Sequence, residues 1–575
     1  MSKKVIIIGG VAGGASAAAR LRRLDESIEI IMFERGQYIS FANCGLPYYI
    51  GETITERDML LVQTPKAMKD RFNIDVRVFS EVTAINPKNM TVSVKQATGE
   101  TYEESYDELI ISTGSTPLVP PIPGIHSPGI YSLWNIPDTD VIKAHVDEKK
   151  PEKAIVIGGG FIGIEMVENL VDRGIKVTLV EKMNQVMAPL DKDMANLVHE
   201  ELKAKGVELF LENGVTQFVS NGNVTEVTLE NGLVLQGDLV ILSIGIRPQS
   251  ELARAAGLEI NARGGIVVTD DMRTSDAHIF AIGDVIEVED FVSKTRTMVP
   301  LAGPANKQGR IVANVICGIQ EKYKGTQGTS IVKVFEQVVA GTGLNEKTLN
   351  RLGKEYKKDY HVALIHSKSH AGYYPGAESM VVKLIFEPTG RILGAQIVGY
   401  EGVDKRIDVL ATAIRMGATV EDLKELELAY APPFSSAKDP VNMVGFVADN
   451  ILSGRMGYVS VSEFDTLDKD DITLLDVRDP GERKRGFIEG SINIPVNQLR
   501  GRLQEVPKDK PIIIYCAVGL RGYIASRILL ENGFRDVQNL SGGYTSYNVH
   551  QNSRFLVCSV EPIEHLSFSD SGEMK

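Results

Sequence analysis

Two stretches of this chain repeat one pattern: an apolar strand, a tight glycine turn, a helix of small residues and, after a second strand, a carboxylate. The first runs Val5-Ile6-Ile7-Ile8-Gly9-Gly10-Val11-Ala12-Gly13-Gly14 into Ala15-Ser16-Ala17-Ala18-Ala19-Arg20, and its second strand, 28–33, ends at Glu34. The second runs Ala154-Ile155-Val156-Ile157-Gly158-Gly159-Gly160-Phe161-Ile162-Gly163, and its second strand, 176–180, ends at Glu181. Glycine at such a turn lets a pyrophosphate approach backbone N–H groups at the positive end of a helix, and the acid accepts hydrogen bonds from a ribose. Val11 stands where the strict pattern has its middle glycine, whereas the second copy keeps all three. Two such units constrain the chain to an α/β architecture with two Rossmann-like domains and two dinucleotides. Glu181 suits the free 2′-hydroxyl of NADH and repels the 2′-phosphate of NADPH, and Lys182 beside it leaves NADPH use open.

The stretches 110–117, Ile-Ile-Ser-Thr-Gly-Ser-Thr-Pro, and 242–248, Leu-Ser-Ile-Gly-Ile-Arg-Pro, are apolar strands ending in glycine turns and read as the two crossings between a first domain and an inserted second one. Ile279-Phe280-Ala281-Ile282-Gly283-Asp284 is another buried strand ending in a carboxylate. With 575 residues the chain exceeds a single core. A net charge of −13 argues against nucleic acid or an anionic membrane as the main partner. No run of 18 apolar residues occurs, and the segment after Lys3-Lys4 is a buried strand rather than a signal, so the expected location is the cytoplasm. Four cysteines, Cys44, Cys317, Cys516 and Cys558, without a Cys-x-x-Cys pair, exclude a disulfide framework and a four-thiolate zinc site. No metal is expected, and any sulfur chemistry belongs to single thiols.

With these motifs in order, residues 1–445 resemble the FAD-dependent pyridine nucleotide-disulfide oxidoreductases, and Ser40-Phe41-Ala42-Asn43-Cys44-Gly45-Leu46-Pro47-Tyr48 is similar to the active-site stretch of the coenzyme A-disulfide reductases. The resemblance implies an FAD-binding domain over 1–117 and 246–322, an NAD(P)H-binding domain over 118–245, and an α+β dimerisation domain over 323–445 that closes the active site of a partner subunit. It implies that Gly9, Val11, Ala12, Gly13, Gly14, Glu34, Arg35, Asn43, Thr113, Gly114, Gly283, Asp284, Pro300, Leu301 and Ala302 meet FAD. It assigns Gly158, Gly160, Ile162, Gly163, Glu181 and Gly245 to the nicotinamide cofactor, with Phe161 and Glu165 beside its ring.

Relatives that reduce glutathione or lipoamide carry a second cysteine where this chain has Tyr49. A lone Cys44 rests as a thiolate, a sulfenic acid or a mixed disulfide with a small thiol such as coenzyme A, and as a thiolate attacks a disulfide or persulfide sulfur. Arg20 and Arg23 share one helix face, where guanidinium groups can hold adenosine phosphates. The resemblance adds Ser40, Asn43, Asn306, Arg310 and Lys438 to a coenzyme A site. It also implies that Tyr430 and one of Tyr373 and Tyr374, with Tyr374 favoured, reach across a homodimer to protonate the leaving thiolate. Single-cysteine peroxidases and oxidases are the competing reading, but they place a histidine in the first glycine turn, where this chain has Ala12.

After 460 a new alternation begins, and Ile512-Ile513-Ile514-Tyr515-Cys516-Ala517-Val518-Gly519-Leu520-Arg521-Gly522 brings a buried strand into a cysteine loop that enters a helix near Gly522. Backbone N–H groups of such a loop stabilise an anionic sulfur. Residues 460–550 are similar to the rhodanese family, which makes Cys516 a persulfide carrier, with Arg521 in its loop. The expected reaction is NAD(P)H-dependent reduction of coenzyme A disulfide or persulfide, and the alternative is sulfur delivery by the C-terminal module, reset by the flavin domain. Cys317 is expected to be structural, the segment 551–575 to be a weakly patterned tail, and Cys558 has no readable role.

Overall fold

The computed structural model describes residues 3–558. Its first sheet has five parallel strands in the order Ile279–Ala281, Glu108–Ile111, Lys4–Ile8, Glu29–Phe33 and Asp75–Arg77. The central strand is apolar at consecutive positions because helices cover both faces, and Val5, Ile6 and Ile7 are fully buried. The second sheet repeats the arrangement with Glu208–Phe210, Lys176–Val180, Lys153–Ile157, Leu239–Leu242 and Ile130–Ser132. In each sheet the strand order reverses beside the strand that feeds the glycine turn, the crevice where open α/β sheets bind ligands. The two expected crossings meet as a ribbon, Ser115–Pro117 pairing antiparallel with Ile246–Pro248.

A third sheet is antiparallel, in the order Ser330–Val334, Gln337–Gly343, Ile392–Gly399, Ser379–Phe386 and His361–Lys368. Lys383 in this sheet is fully buried, and its ammonium sits 2.7 Å from Asp193 and 3.2 Å from Asp191 of the second domain and 2.6 Å from Glu346. One cation among three carboxylates thus ties the second and third domains together, and it stays charged because any other state would strand those anions.

The C-terminal sheet is parallel, in the order Gly457–Val459, Val537–Leu540, Ile512–Tyr515, Thr473–Asp476 and Ile492–Asn493. Two expected boundaries fall inside elements. The helix Pro440–Leu452 runs through 445 and the helix Gly543–Cys558 continues past 550, while the strand Gly457–Val459, which pairs with the C-terminal sheet, lies just before 460. Residues 551–558 therefore extend an element packed against the second domain, where Asn552 bonds Glu200 at 3.5 Å. Composition alone hid this, since the apolar spacing there is weak. The rest of the expected tail, 559–575, lies outside the described residues. The C-terminal module is joined to the third domain by Lys357 with Glu463 at 2.8 Å and by half-buried His366 with Ser546 at 2.9 Å. Among the described residues no helix is long and apolar enough to cross a membrane.

Candidate active site

Both glycine turns close against a neighbouring strand end. Gly9 and Gly158 have φ of +100° and +103°, and a Cβ on them would fall 2.3 Å from the Ser112 carbonyl oxygen and 2.4 Å from that of Ser243. Only glycine fits such a turn. The acids lie against the turns as the sequence suggests. Glu34 accepts from the N–H groups of Gly10 at 3.3 Å and Gly36 at 2.9 Å, and Glu181 accepts from those of Gly159 and Met183, each at 2.7 Å. Lys182 is turned to Glu230 at 3.0 Å.

A continuous cleft of about 1820 Å³ runs between the first and second domains. Of the residues expected to meet FAD, Gly9, Val11, Ala12, Gly13, Glu34, Arg35, Asn43, Thr113, Gly114, Gly283, Asp284, Pro300, Leu301 and Ala302 line it, while Gly14 is buried behind the turn. Gly160, Phe161, Ile162, Glu165 and Gly245 line it as well; Gly158, Gly163 and Glu181 stand behind or beyond it. Arg20, Arg23, Ser40, Asn43, Asn306 and Arg310 form one border, where Arg20 bonds Asn314 at 2.9 Å and Asn306 meets Ser16 at 2.5 Å. Sequence reasoning missed Ser16, Tyr38, Trp134 and Gln249, which also line the cleft. Ser16 lies one helical turn before Arg20 and was readable from that spacing; the others sit in loops with no periodic signal.

Cys44 opens into this cleft from a short turn, Asn43–Gly45, that leads into the helix Leu46–Ile50. Ser40 pins the approach. It adopts φ +45°, uncommon for a residue with a side chain, and its N–H and carbonyl bond Gly10 and Val62 at 2.8 and 3.0 Å. Tyr49 turns away from the cleft and lies under the Lys143 ammonium, 5.8 Å from its ring centre.

The electrostatics are acidic. Burial pushes the Cys44 thiol above its ordinary value, and the Glu165 and Asp284 carboxylates push the same way. Glu165 is itself raised to about 7 by burial and by nearby Glu168, against a hydrogen bond from Tyr48. Tyr48 is raised to about 12 by burial and by Glu165 and Glu168. Asp284 is raised by burial although the Ser115 hydroxyl donates to it at 3.0 Å. The protein therefore surrounds Cys44 with groups that oppose a thiolate.

Tyr373, Tyr374, Tyr430 and Lys438 do not line the cleft of their own chain. They lie exposed on loops of the third domain, with the Tyr373 and Tyr430 hydroxyls 3.0 Å apart and the Tyr374 ring edge-on to His370 at 5.6 Å. Beneath both loops buried Arg406 bonds Asp439 at 3.0 Å, the Ser369 carbonyl at 2.8 Å and the Ser435 hydroxyl at 3.2 Å.

In the C-terminal module Cys516 ends the strand Ile512–Tyr515 and is buried, with the Gly519 N–H donating to its Sγ at 3.1 Å. The next helix begins at Leu520, two residues earlier than expected. Arg521 donates to both carboxylate oxygens of Glu482, each at 2.6 Å. Cys317 caps the C-terminus of the helix Ala302–Ile316 and is half-buried.

Residues 3–309 match the family model described as pyridine nucleotide-disulphide oxidoreductase, 329–440 its dimerisation domain, and 462–550 a rhodanese-like domain. The chain belongs to the pyridine nucleotide-disulphide oxidoreductase family. This family member is 37% identical over 454 residues to the coenzyme A disulfide reductase of Staphylococcus haemolyticus strain JCSC1435, spanning 78% of this chain and 100% of that one. The crystal structure of reduced Bacillus anthracis CoADR-RHD superposes with a TM-score of 0.93 at 56% identity, over 96% of this chain and 99% of the other. An NAD-dependent persulfide reductase from A. fulgidus superposes with a TM-score of 0.89 at 40% identity, over 95% and 100%.

The family is flavin-dependent and uses FAD and NAD(P)H, and the cleft fits two dinucleotides. A Cβ on Gly160, at the start of the helix Phe161–Asp172, would meet no atom within 4 Å and would project into open space, so packing gives no reason for glycine there whereas a close-lying pyrophosphate does.

Proposed function

We propose that the protein is a cytoplasmic NADH-dependent FAD enzyme that reduces coenzyme A disulfide and coenzyme A persulfide through Cys44. The observation that carries this reading is one cleft lined by residues of both nucleotide turns, by a single redox-capable thiol and by the cations Arg20, Arg23 and Arg310. FAD, which Gly9, Gly13, Glu34 and Asp284 would hold in the cleft, would supply the two-electron relay from NADH to the sulfur linkage at Cys44. Cys44 as thiolate attacks the substrate's inner sulfur, expels sulfide from a persulfide or a thiolate from a disulfide, and is held until release as the mixed disulfide with coenzyme A. Arg20, Arg23, Asn306 and Arg310 bind and orient the phosphates. Glu181, with Lys182 engaged elsewhere, favours NADH. Ala12 in the cleft supplies no acid or base for peroxide, which weighs against the oxidase reading.

The chain works in this reading as a homodimer. The exposed Tyr373–Tyr430 hydroxyl pair closes the partner's cleft and gives a proton to the leaving thiolate; that pairing shifts preference from Tyr374 to Tyr373. The C-terminal module handles sulfane sulfur at Cys516.

Anaerobic NADH oxidation tests the reading. Coenzyme A disulfide and coenzyme A persulfide should both drive turnover, the persulfide with stoichiometric sulfide, while oxygen or peroxide alone should not; turnover with peroxide only would sink it. A second expectation concerns Glu165. Below about pH 7 it is neutral, and above that its charge opposes the Cys44 thiolate, so Glu165→Gln should lower the thiol's pKa. Alkylation of reduced Cys44 at pH 8 should then speed up, roughly two- to fivefold for a shift of about half a unit. An unchanged alkylation profile would show that the two groups do not interact.

A further inference from the structure

The sulfur loop of the C-terminal module has one cation, Arg521, among its six residues 516–521, and that cation is already spent. Both of its terminal nitrogens donate to Glu482, and Asp479 stands 3.6 Å away. Arg521 holds Glu482 down to about 2, so the acid is ionised at every neutral pH and the group of three carries a net negative charge. Glu482 is further locked by the Asp479 N–H at 3.1 Å, the reciprocal bond that caps the short helix Pro480–Arg483. The loop's other outward side chains are apolar: Val518 and Leu520 are exposed, and Ile524 one helical turn on is exposed too.

We propose that the Cys516 site takes its sulfur from an organic persulfide carried on an uncharged thiol arm, and that Glu482, by occupying Arg521, is the residue that discriminates against inorganic thiosulfate. The proposal rests on the reading of Cys516 as a persulfide carrier. Thiosulfate is a dianion whose leaving group, sulfite, is one as well, and each needs a free cation at the loop mouth. An organic persulfide R–S–SH brings charge only at its terminal sulfur, which comes up to the Cys516 Sγ that the Gly519 N–H already meets, and an arm that lies against Val518, Leu520 and Ile524. In the transfer the Cys516 thiolate attacks the terminal sulfur of R–S–SH and the S–S bond breaks with its electron pair leaving on R–S⁻. The sulfane sulfur stays on Cys516 with its hydrogen. No outside oxidant or reductant enters.

The test uses full-length protein and reads the mass gain of one sulfur on Cys516, which needs neither NADH nor Cys44. Coenzyme A persulfide should load the wild type far faster than thiosulfate. Glu482→Gln, which keeps the capping bond but frees Arg521, should raise thiosulfate loading roughly tenfold or more, the size of a charge-assisted hydrogen bond regained, and leave loading from coenzyme A persulfide within about twofold. Leu520→Glu should lower loading of Cys516 from coenzyme A persulfide. Equal loading of the wild type by both donors, or thiosulfate loading unmoved in Glu482→Gln, overturns the proposal. Loading by neither donor in either protein overturns the carrier reading itself.

Discussion

Cys44→Ser is expected to lower kcat for both coenzyme A substrates by about three orders of magnitude, roughly 4 kcal/mol, because a serine hydroxyl neither attacks sulfur nor forms a linkage that flavin electrons can cleave. Flavin content and anaerobic bleaching of the flavin by NADH should persist, since Gly9, Glu34, Gly160 and Glu181 are untouched. Stopped-flow absorbance separates the two half-reactions. If the variant turned over coenzyme A persulfide at a rate comparable to wild type, electrons would leave by another route and the assignment of Cys44 would be wrong.

Arg406→Met is expected to destabilise the fold by about 3–5 kcal/mol, because it strands a buried carboxylate. Arg406 and Asp439 are each 2% exposed, and the pair also holds the Ser369 carbonyl and the Ser435 hydroxyl, anchors of the two tyrosine loops. Burial alone would raise the Asp439 carboxyl, but the Ser435 hydroxyl, the Val441 N–H and Arg406 together hold it below its ordinary range. A depressed carboxyl contributes stability that is fully present above its unfolded pKa and is lost as pH falls through the lower folded value. The wild type should therefore lose stability on acidification below the ordinary carboxylate range. Urea midpoints check the loss, and Arg406→Met with Asp439→Asn should recover part of it. A single-variant effect below about 1 kcal/mol would mean that the pair is hydrated rather than buried.

Much of the site was legible because its signals are local. The glycine turns, the strand-end acids Glu34 and Glu181, and the cysteine loops occupy short contiguous stretches whose backbone requirements are written in residue type and spacing. Arg20 and Arg23 were readable from helix periodicity, and they do border the cleft. That helices run through 445 and past 550 was not, since a domain limit read from a shift in composition need not fall at an element end. Nor was the acidity around Cys44 legible, because it arises where separate elements converge.

By itself the sequence determined an α/β chain with two nucleotide-binding units, with Cys44 in a glycine- and proline-flanked stretch of the first and Cys516 in a loop of its own. The tertiary structure decided what surrounds those thiols. Glu165 reaches Cys44 from a helix more than a hundred residues away, Tyr373 finds Tyr430 across 57 residues, and Glu482 takes Arg521 across 39. Burial and charge pairing set the chemistry of these groups, and both depend on which distant segments pack together, a property that no local pattern of residues encodes.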